Sequence, residues 1–262
     1  MSLIRQNKIP AMNVVIVGDE INAEYFINSK YVSKLYFAPK DIKFNTFREL
    51  SEKCKALQAD LVLVQDEKWI LQGIGDVLRQ NNVNCIAPTS NWTKLGINRP
   101  YVYELLDKYN FHLPQKIILP NEFPVLIRGA GLYEIANTLD DIVRIKENIY
   151  NKSADIAQTI YLEEYLGKYE ILTSLFDGKH LITFKNDKFD YKLIKNYNDQ
   201  LEELLNSEKA NFLGFINSLV VQKEDYLYNI GFNFEYPEEI ISTDLMYVLN
   251  LALYQKLNEF KI

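Results

Sequence analysis

From Asn13 the chain alternates short apolar runs with stretches of helical period. VVIV (14–17) ends at Gly18 and is followed by EINAEYFINSK, where Ile21, Tyr25 and Phe26 recur at helical spacing. KLYFAP (34–39) reads as a strand, FRELSEKCKALQ (47–58) as a helix and DLVLV (60–64) as a strand. WILQGIGDVLRQNN (69–82) reads as one helix and VNCIAP (83–88) as a strand stopped by proline. Strands that are apolar on both faces and separated by single helices predict a parallel sheet with helices packed on it, over residues 12–90.

After Pro88 the pattern changes. The polar stretch TSNWTKLGINRP leads into a helix, YVYELLDKYN, and HLPQKIILPNEFPVLIRGAG offers two strands interrupted by prolines. LDDIVRIKENIYNK (139–152) is an amphipathic helix with Leu139, Ile142, Val143 and Ile145 on one side. TIYLEEYL and YEILTSLFDGKHLITFK read as strands, with Asp177-Gly178 marking a hairpin. A polar stretch (DKFDYKLIKNYNDQ), a short helix LEELLNS, the strands FLGFINSLVV and YLYNIGFNF and a last helix, DLMYVLNLALYQKLNEF, complete the chain. The pattern predicts an α/β protein: a small parallel-sheet domain at 12–90, then α+β regions at 91–185 and 186–262.

Composition narrows the partners. The chain has 262 residues, 48% of them apolar, a formal charge of -6 and a pI near 5.2, which argues against non-specific binding to nucleic acid or anionic membrane. No apolar run approaches the ~20 residues of a membrane helix, and the expected compartment is the cytoplasm. Cys54 and Cys85 are far apart in sequence and read as two reduced thiols. Met12 lies directly against the first strand, so residues 1–11 read as an upstream extension or cloning remnant.

Candidate chemistry is sparse. VVIVGDE keeps only Gly18 of the spaced glycines a dinucleotide site needs. His112 and His180 have no cysteine or carboxylate at ligand spacing, which argues against a zinc site or a histidine base. VLIRGAGLYEIAN (125–137) joins an apolar strand to Arg128 and two glycines: a grip for an anion, or an ordinary turn. YLEEYLGKYE (161–170) puts three carboxylates in or after a strand, either as a solvated edge or as a cleft lining. Glu163 and Glu164 must point to opposite faces.

The order of these stretches resembles the ATP-grasp ligases, and within them the phosphoribosylamine–glycine ligases. APK (38–40), DLVLVQDEKWILQGIGDVLR (60–79) with Glu67, and IAPTSNWTKLGINRPYVYELL (86–106) are similar to that family's segments in order and spacing. LEEYLGKYE (162–170) is similar to the family's IEEFLEGEE, and NIGFNFEYPEE (229–239) to EYNVRFGDPET. The resemblance implies a pre-ATP-grasp domain followed by a two-lobed ATP-grasp domain, with ATP or ADP as ligand between the lobes.

Carried over residue by residue, the resemblance puts Glu164 and Leu166 at the adenine edge, Glu170 at the ribose, and Arg99 and Arg128 at the two phosphate-binding lysines. An arginine fork is not a flexible ammonium, so phosphate contact changes in kind. The family's magnesium ligands fall on Asn229 and Gly231, its arginine on Asn233, and its phosphate-covering glycine loop on a shortened GAGL. The family's C-terminal domain has no counterpart. The resemblance therefore implies a degenerate relative that binds a nucleotide without magnesium or ligase chemistry, beside a protein partner in purine metabolism. One alternative is an active carboxylate–amine ligase whose metal sits on Glu235, Glu238 or Glu239. Another is an interaction protein whose cleft is filled by Tyr133, Tyr165 or Tyr169. Oligomeric state is not legible.

Overall fold

Strands that are apolar on both faces need cover on both sides. The computed structural model describes residues 10–18, 23–129, 132–152, 160–184, 186–237 and 245–260. It places β1 (Met12–Val17), β2 (Val32–Ala38), β3 (Leu61–Val64) and β4 (Cys85–Ile86) in one parallel sheet of order β2-β1-β3-β4. Val15, Val17, Val62 and Val64 share a core with Leu50 and Cys54 of α2 (Phe47–Ala56) and with Ile74 and Leu78 of α4 (Ile74–Gln80). On the other face Val14, Ile16, Leu61 and Leu63 meet Phe26 of α1 (Ala23–Ile27) and the C-terminal helix α9 (Leu245–Leu253). The predicted doubly covered sheet is present, with the last helix of the chain returning to close it.

Local signals explain the helix starts. Thr46 caps α2 by accepting from the Glu49 N–H at 3.2 Å, while the Glu49 carboxylate accepts from the Asn45 N–H at 2.8 Å. The helix expected over 69–82 is instead two, α3 (Glu67–Leu71) and α4, because Gly73 takes a left-handed φ of 85° between them. The stretch read as polar before residue 101 holds a further helix, α5 (Ser90–Ile97), whose Trp92 and Leu95 are buried. Asn98 then caps α6 (Arg99–Lys108), accepting from the Tyr101 N–H at 3.1 Å with Pro100 in the first turn.

The second sheet is antiparallel, with order β5-β8-β6-β7: β5 (Lys116–Ile117), β6 (Val125–Gly129), β7 (Leu132–Ala136) and β8 (Tyr161–Glu164). Val125, Ile127 and Leu162 pack under Ile142, Ile145 and Ile149 of α7 (Leu139–Lys152). The third sheet, order β10-β9-β11-β12, joins β9 (Glu170–Phe176), β10 (Leu181–Thr183), β11 (Gly214–Lys223) and β12 (Tyr226–Asn233). It takes in strands on both sides of residue 185. One face is covered by α8 (Tyr191–Ser207), a single helix that runs back through the stretch read as polar and is capped by Asp190. Its Ile194, Tyr197, Leu201, Leu204 and Leu205 form a buried stripe.

The first and third sheets are stapled together. The Ala87 N–H donates to Leu213 O at 2.8 Å, and the Arg79 guanidinium donates to the carbonyls of Gly75, Cys85, Ala87 and Leu213. Gly75 lets α4 approach this junction, since a Cβ there would lie 2.5 Å from Pro88 O and 3.3 Å from Ala87 Cβ. Alanine gains about 1 kcal/mol over glycine inside a helix, but overpacking against backbone costs about 1–3 kcal/mol. Gly75→Ala is therefore expected to destabilise the protein by up to about 2 kcal/mol, read as a lower urea midpoint at unchanged m-value.

Candidate cleft between the second and third sheets

Strand alternation decides which side chains face the third sheet. In the second sheet Ile127 and Leu162 point to α7, so their neighbours Leu126, Arg128, Tyr161 and Glu163 point the other way, and Tyr133 joins them opposite Arg128. From the third sheet Leu219, Val221 and Ile230 come forward to meet this face. Gly231 lies directly behind Arg128: a Cβ built on it would collide with Arg128 Nη2.

Arg99 and Glu163 on this face are buried and interlocked, with Arg128 half-buried beside them. Arg99, the first residue of α6, is 5% exposed and Glu163 of β8 is fully buried. They meet fork to fork, Nε to Oε1 at 2.9 Å and Nη2 to Oε2 at 2.9 Å. Arg99 also lies over the Tyr103 ring at 4.4 Å, and its Nη1 is buried with no hydrogen-bond partner. Arg128 lies 5.1 Å from the Tyr133 ring centroid. Burial, and then the Arg99 charge, hold the Arg128 guanidinium down at about 10, against a weaker opposing pull from Glu163. Burial also raises the Tyr133 hydroxyl, with Arg128 pulling it back.

The residues expected from sequence are gathered in part. Arg99 and Arg128 do share one site. Glu164, on the opposite face from Glu163, pairs with Lys223 at 2.9 Å, and Glu170 pairs with Lys188. Leu166 and Tyr169 pack with Tyr133 against Leu219, Val221 and Ile230, the rings of Tyr133 and Tyr169 meeting edge-on at 5.5 Å. Glu163 was the missed residue; the only signal was the rule that one of two adjacent strand carboxylates must face inward.

The edge assigned to a metal is differently built. Asn229 is fully buried, and its side-chain amide donates to Tyr197 Oη of α8 at 2.6 Å, leaving its Oδ1 without a partner. Asn233 accepts from Asn217 at 2.7 Å. Glu235 is exposed, and Glu238 and Glu239 lie outside the described residues, as do Ala130 and Gly131 of the short loop. Among the described residues no group of three His, Cys, Asp or Glu side chains could hold a metal ion. His112 is packed beside Tyr226 and Tyr228, and His180 Nδ1 lies 3.3 Å from Asp177. Cys54 and Cys85 are free and buried, their thiols pushed up to about 11 by burial. No described helix is long and apolar enough to cross a membrane. Two pockets, of about 510 and 550 Å³, open elsewhere, one beside Tyr150 and the other between Arg79 and Gln255.

Glu67, at the start of α3, ties that helix to the end of β12 by accepting from the Phe234 N–H at 2.7 Å. Burial, the largest influence, raises its carboxyl above the ordinary 4.5. A raised folded value means that the fold favours the protonated form. That contribution is present below 4.5 and is lost as pH rises through the folded value. Glu67→Gln keeps the acceptor and removes the charge. The melting temperature of the wild type should therefore fall relative to Glu67→Gln as pH rises from 4.5 towards neutrality. A second expectation concerns Glu163→Ala, which leaves the buried Arg99 guanidinium unpaired and should cost about 3–5 kcal/mol in chemical unfolding.

No protein-family model matches the chain. Over 266 residues it is 24% identical to a phosphoribosylamine–glycine ligase of Fusobacterium nucleatum, the match covering 78% of this chain and 61% of that protein. Over 158 residues it is 26% identical to the human trifunctional purine biosynthetic protein adenosine-3, covering 53% of this chain and 16% of that one. The chain thus spans less than two thirds of the length of either relative. In structure it matches a phosphoribosylamine–glycine ligase of Thermotoga maritima with a TM-score of 0.70 at 13% identity, over 95% of this chain and 76% of that one. It also matches a D-alanine–D-alanine ligase of Bacillus anthracis, solved with ATP, with a TM-score of 0.63 at 15% identity over 95% of both chains. The chain has the ATP-grasp fold and is similar in sequence to phosphoribosylamine–glycine ligase.

Proposed function

We propose that this chain is a phosphoribosylamine–glycine ligase-like ATP-grasp protein that has lost ligase activity and acts as a binding or regulatory component of purine metabolism, in the cytoplasm. The observation that carries the reading is the metal edge. At the positions the resemblance assigns to magnesium ligands, Gly231 has no side chain and Arg128 Nη2 fills the space beside it, while Asn229 is turned to Tyr197. These residues do not fit a magnesium ion, which asks for oxygen ligands at ~2.0–2.1 Å and is repelled by a guanidinium.

Phosphoryl transfer depends on positioning and on neutralising developing charge, and removing one stabilising group typically costs ~10²–10³ in rate. Here Arg99 is already bound to Glu163 and the magnesium ligands are missing together, so the residual rate by that route is negligible even if the losses are far from additive. A second reading, a cleft filled by its own side chains and used for interaction, is favoured by the packing of Tyr133, Leu166 and Tyr169 on the third sheet. It shares the first reading's prediction for catalysis.

The test is ADP release from Mg-ATP in the presence of glycine and phosphoribosylamine. No release above the protein-free blank is expected. Turnover on the order of 1 s⁻¹ or faster, in the ordinary enzymatic range, would return the chain to the active ligases.

A further inference from the structure

The apolar residues of α7 part into two faces. By sequence Leu139 and Val143 group with Ile142 and Ile145, yet only Ile142, Ile145 and Ile149 are buried against the second sheet. Leu139, Val143 and Tyr150 are 61%, 55% and 61% exposed. With Lys146 they recur at intervals of four, three and four residues, the spacing of a seam between two packed helices. The stripe ends at a hollow of about 510 Å³ lined by Lys146, Glu147, Tyr150, Asn151 and Ile160. One end of the helix thus carries an apolar knob, Leu139, and the other end, about 16 Å along the axis, carries a place to receive one.

We propose that α7 is a self-association surface: two copies of this chain pair their α7 helices antiparallel about a twofold axis, each setting Leu139 against Tyr150 of the other at the mouth of its hollow. The occupant follows from complementarity within the stripe. A twofold contact needs a feature and its complement on the same patch. Knob and hollow on one helix meet that condition when the two helices run in opposite directions. Charge selects the same direction. A parallel pair would set Lys146 against its own copy, a like-charge contact inside an apolar seam. In the antiparallel register Lys146 faces Val143 of the second copy, with that copy's Asp140 and Glu147 one turn to either side. A contact confined to one 14-residue helix, about 21 Å long, falls below the roughly 1,200 Å² of a standard interface, so the pair is weak and reversible.

The experiment is sedimentation equilibrium on the full chain from about 1 µM to about 1 mM, where monomer should pass to dimer with a Kd of about 10–500 µM. Val143→Lys puts a charge in the middle of the seam of both copies and should weaken the dimer about tenfold or more. Because Val143 is exposed, the variant's melting temperature at low concentration should match the wild type. Cross-linking reads the orientation. Leu139→Cys and Tyr150→Cys, mixed and oxidised, should form a disulfide between chains, while either variant alone should not. Like positions lie about 16 Å apart in the antiparallel pair, and the bond needs Cα atoms within about 7 Å. The native Cys54 and Cys85 are buried and do not compete. A monomer at every concentration overturns the proposal and leaves the stripe to a different protein. Equal association by wild type and Val143→Lys overturns it as well, by placing the contact elsewhere. So does cross-linking of Leu139→Cys alone as readily as the mixture, which would make the pair parallel.

Discussion

The constraint on which the cleft depends is the buried Arg99–Glu163 pair. Arg99 begins α6, where the helix already presents unpaired N–H groups and partial positive charge. A buried cation in that place needs a carboxylate close by, and β8 supplies Glu163 from the one face that is not turned to α7. The pair fixes α6 against the second sheet and sets the electrostatics of everything beside it. With Glu163 committed to Arg99, the neighbouring Arg128 is left as surplus charge, and its lowered affinity for a proton follows from burial and from Arg99 together.

Much of the fold was legible because apolar alternation and glycine or proline punctuation reported it directly. The parallel first sheet, α7 and the Asp177-Gly178 hairpin fall where the pattern places them. Three features did not. Gly73 breaks a helical period that continues through it, since both halves bury apolar residues against the same core. The helices over Ser90–Ile97 and the first half of Tyr191–Ser207 carry few aliphatic residues. They are held by Trp92 and Tyr197, whose contacts with Phe212 and Phe111 are long-range and leave no local trace. Arg99 and Arg128 were legible as candidates, but the choice of Glu163 over Glu164 as the carboxylate facing Arg99 was not. Strand alternation says that one faces inward without saying which, and the answer depends on α7 claiming the face that holds Leu162.

The packing between sheets differs in kind across the molecule. The first and third sheets are joined by backbone: an isolated bridge at Ala87 and Leu213, the Arg79 fork on four carbonyls, and Glu67 accepting from the Phe234 N–H. The second sheet meets the third through side chains, the Tyr133, Leu166 and Tyr169 cluster and the Glu164–Lys223 pair. A backbone junction of this sort is rigid, whereas a small aromatic and aliphatic contact with an exposed ion pair contributes little and can reopen.

Gly231 and Arg128 are coupled by packing. Glycine inside a strand gives up side-chain packing and costs about 0.5–1 kcal/mol relative to alanine. β12 carries it beside a register shift between Leu219 and Val220, where the ladder is already irregular. The loss makes sense once Arg128 is placed: its guanidinium needs the volume that any side chain at 231 would take. A lysine at 128 would reach out as a point charge and leave that volume empty, whereas the planar fork fills it and lies against Tyr133. The cation beside β12 is thus a part of the chain itself. A tethered guanidinium can still attract an anion, but it cannot gather several oxygen ligands around one centre as a metal ion does.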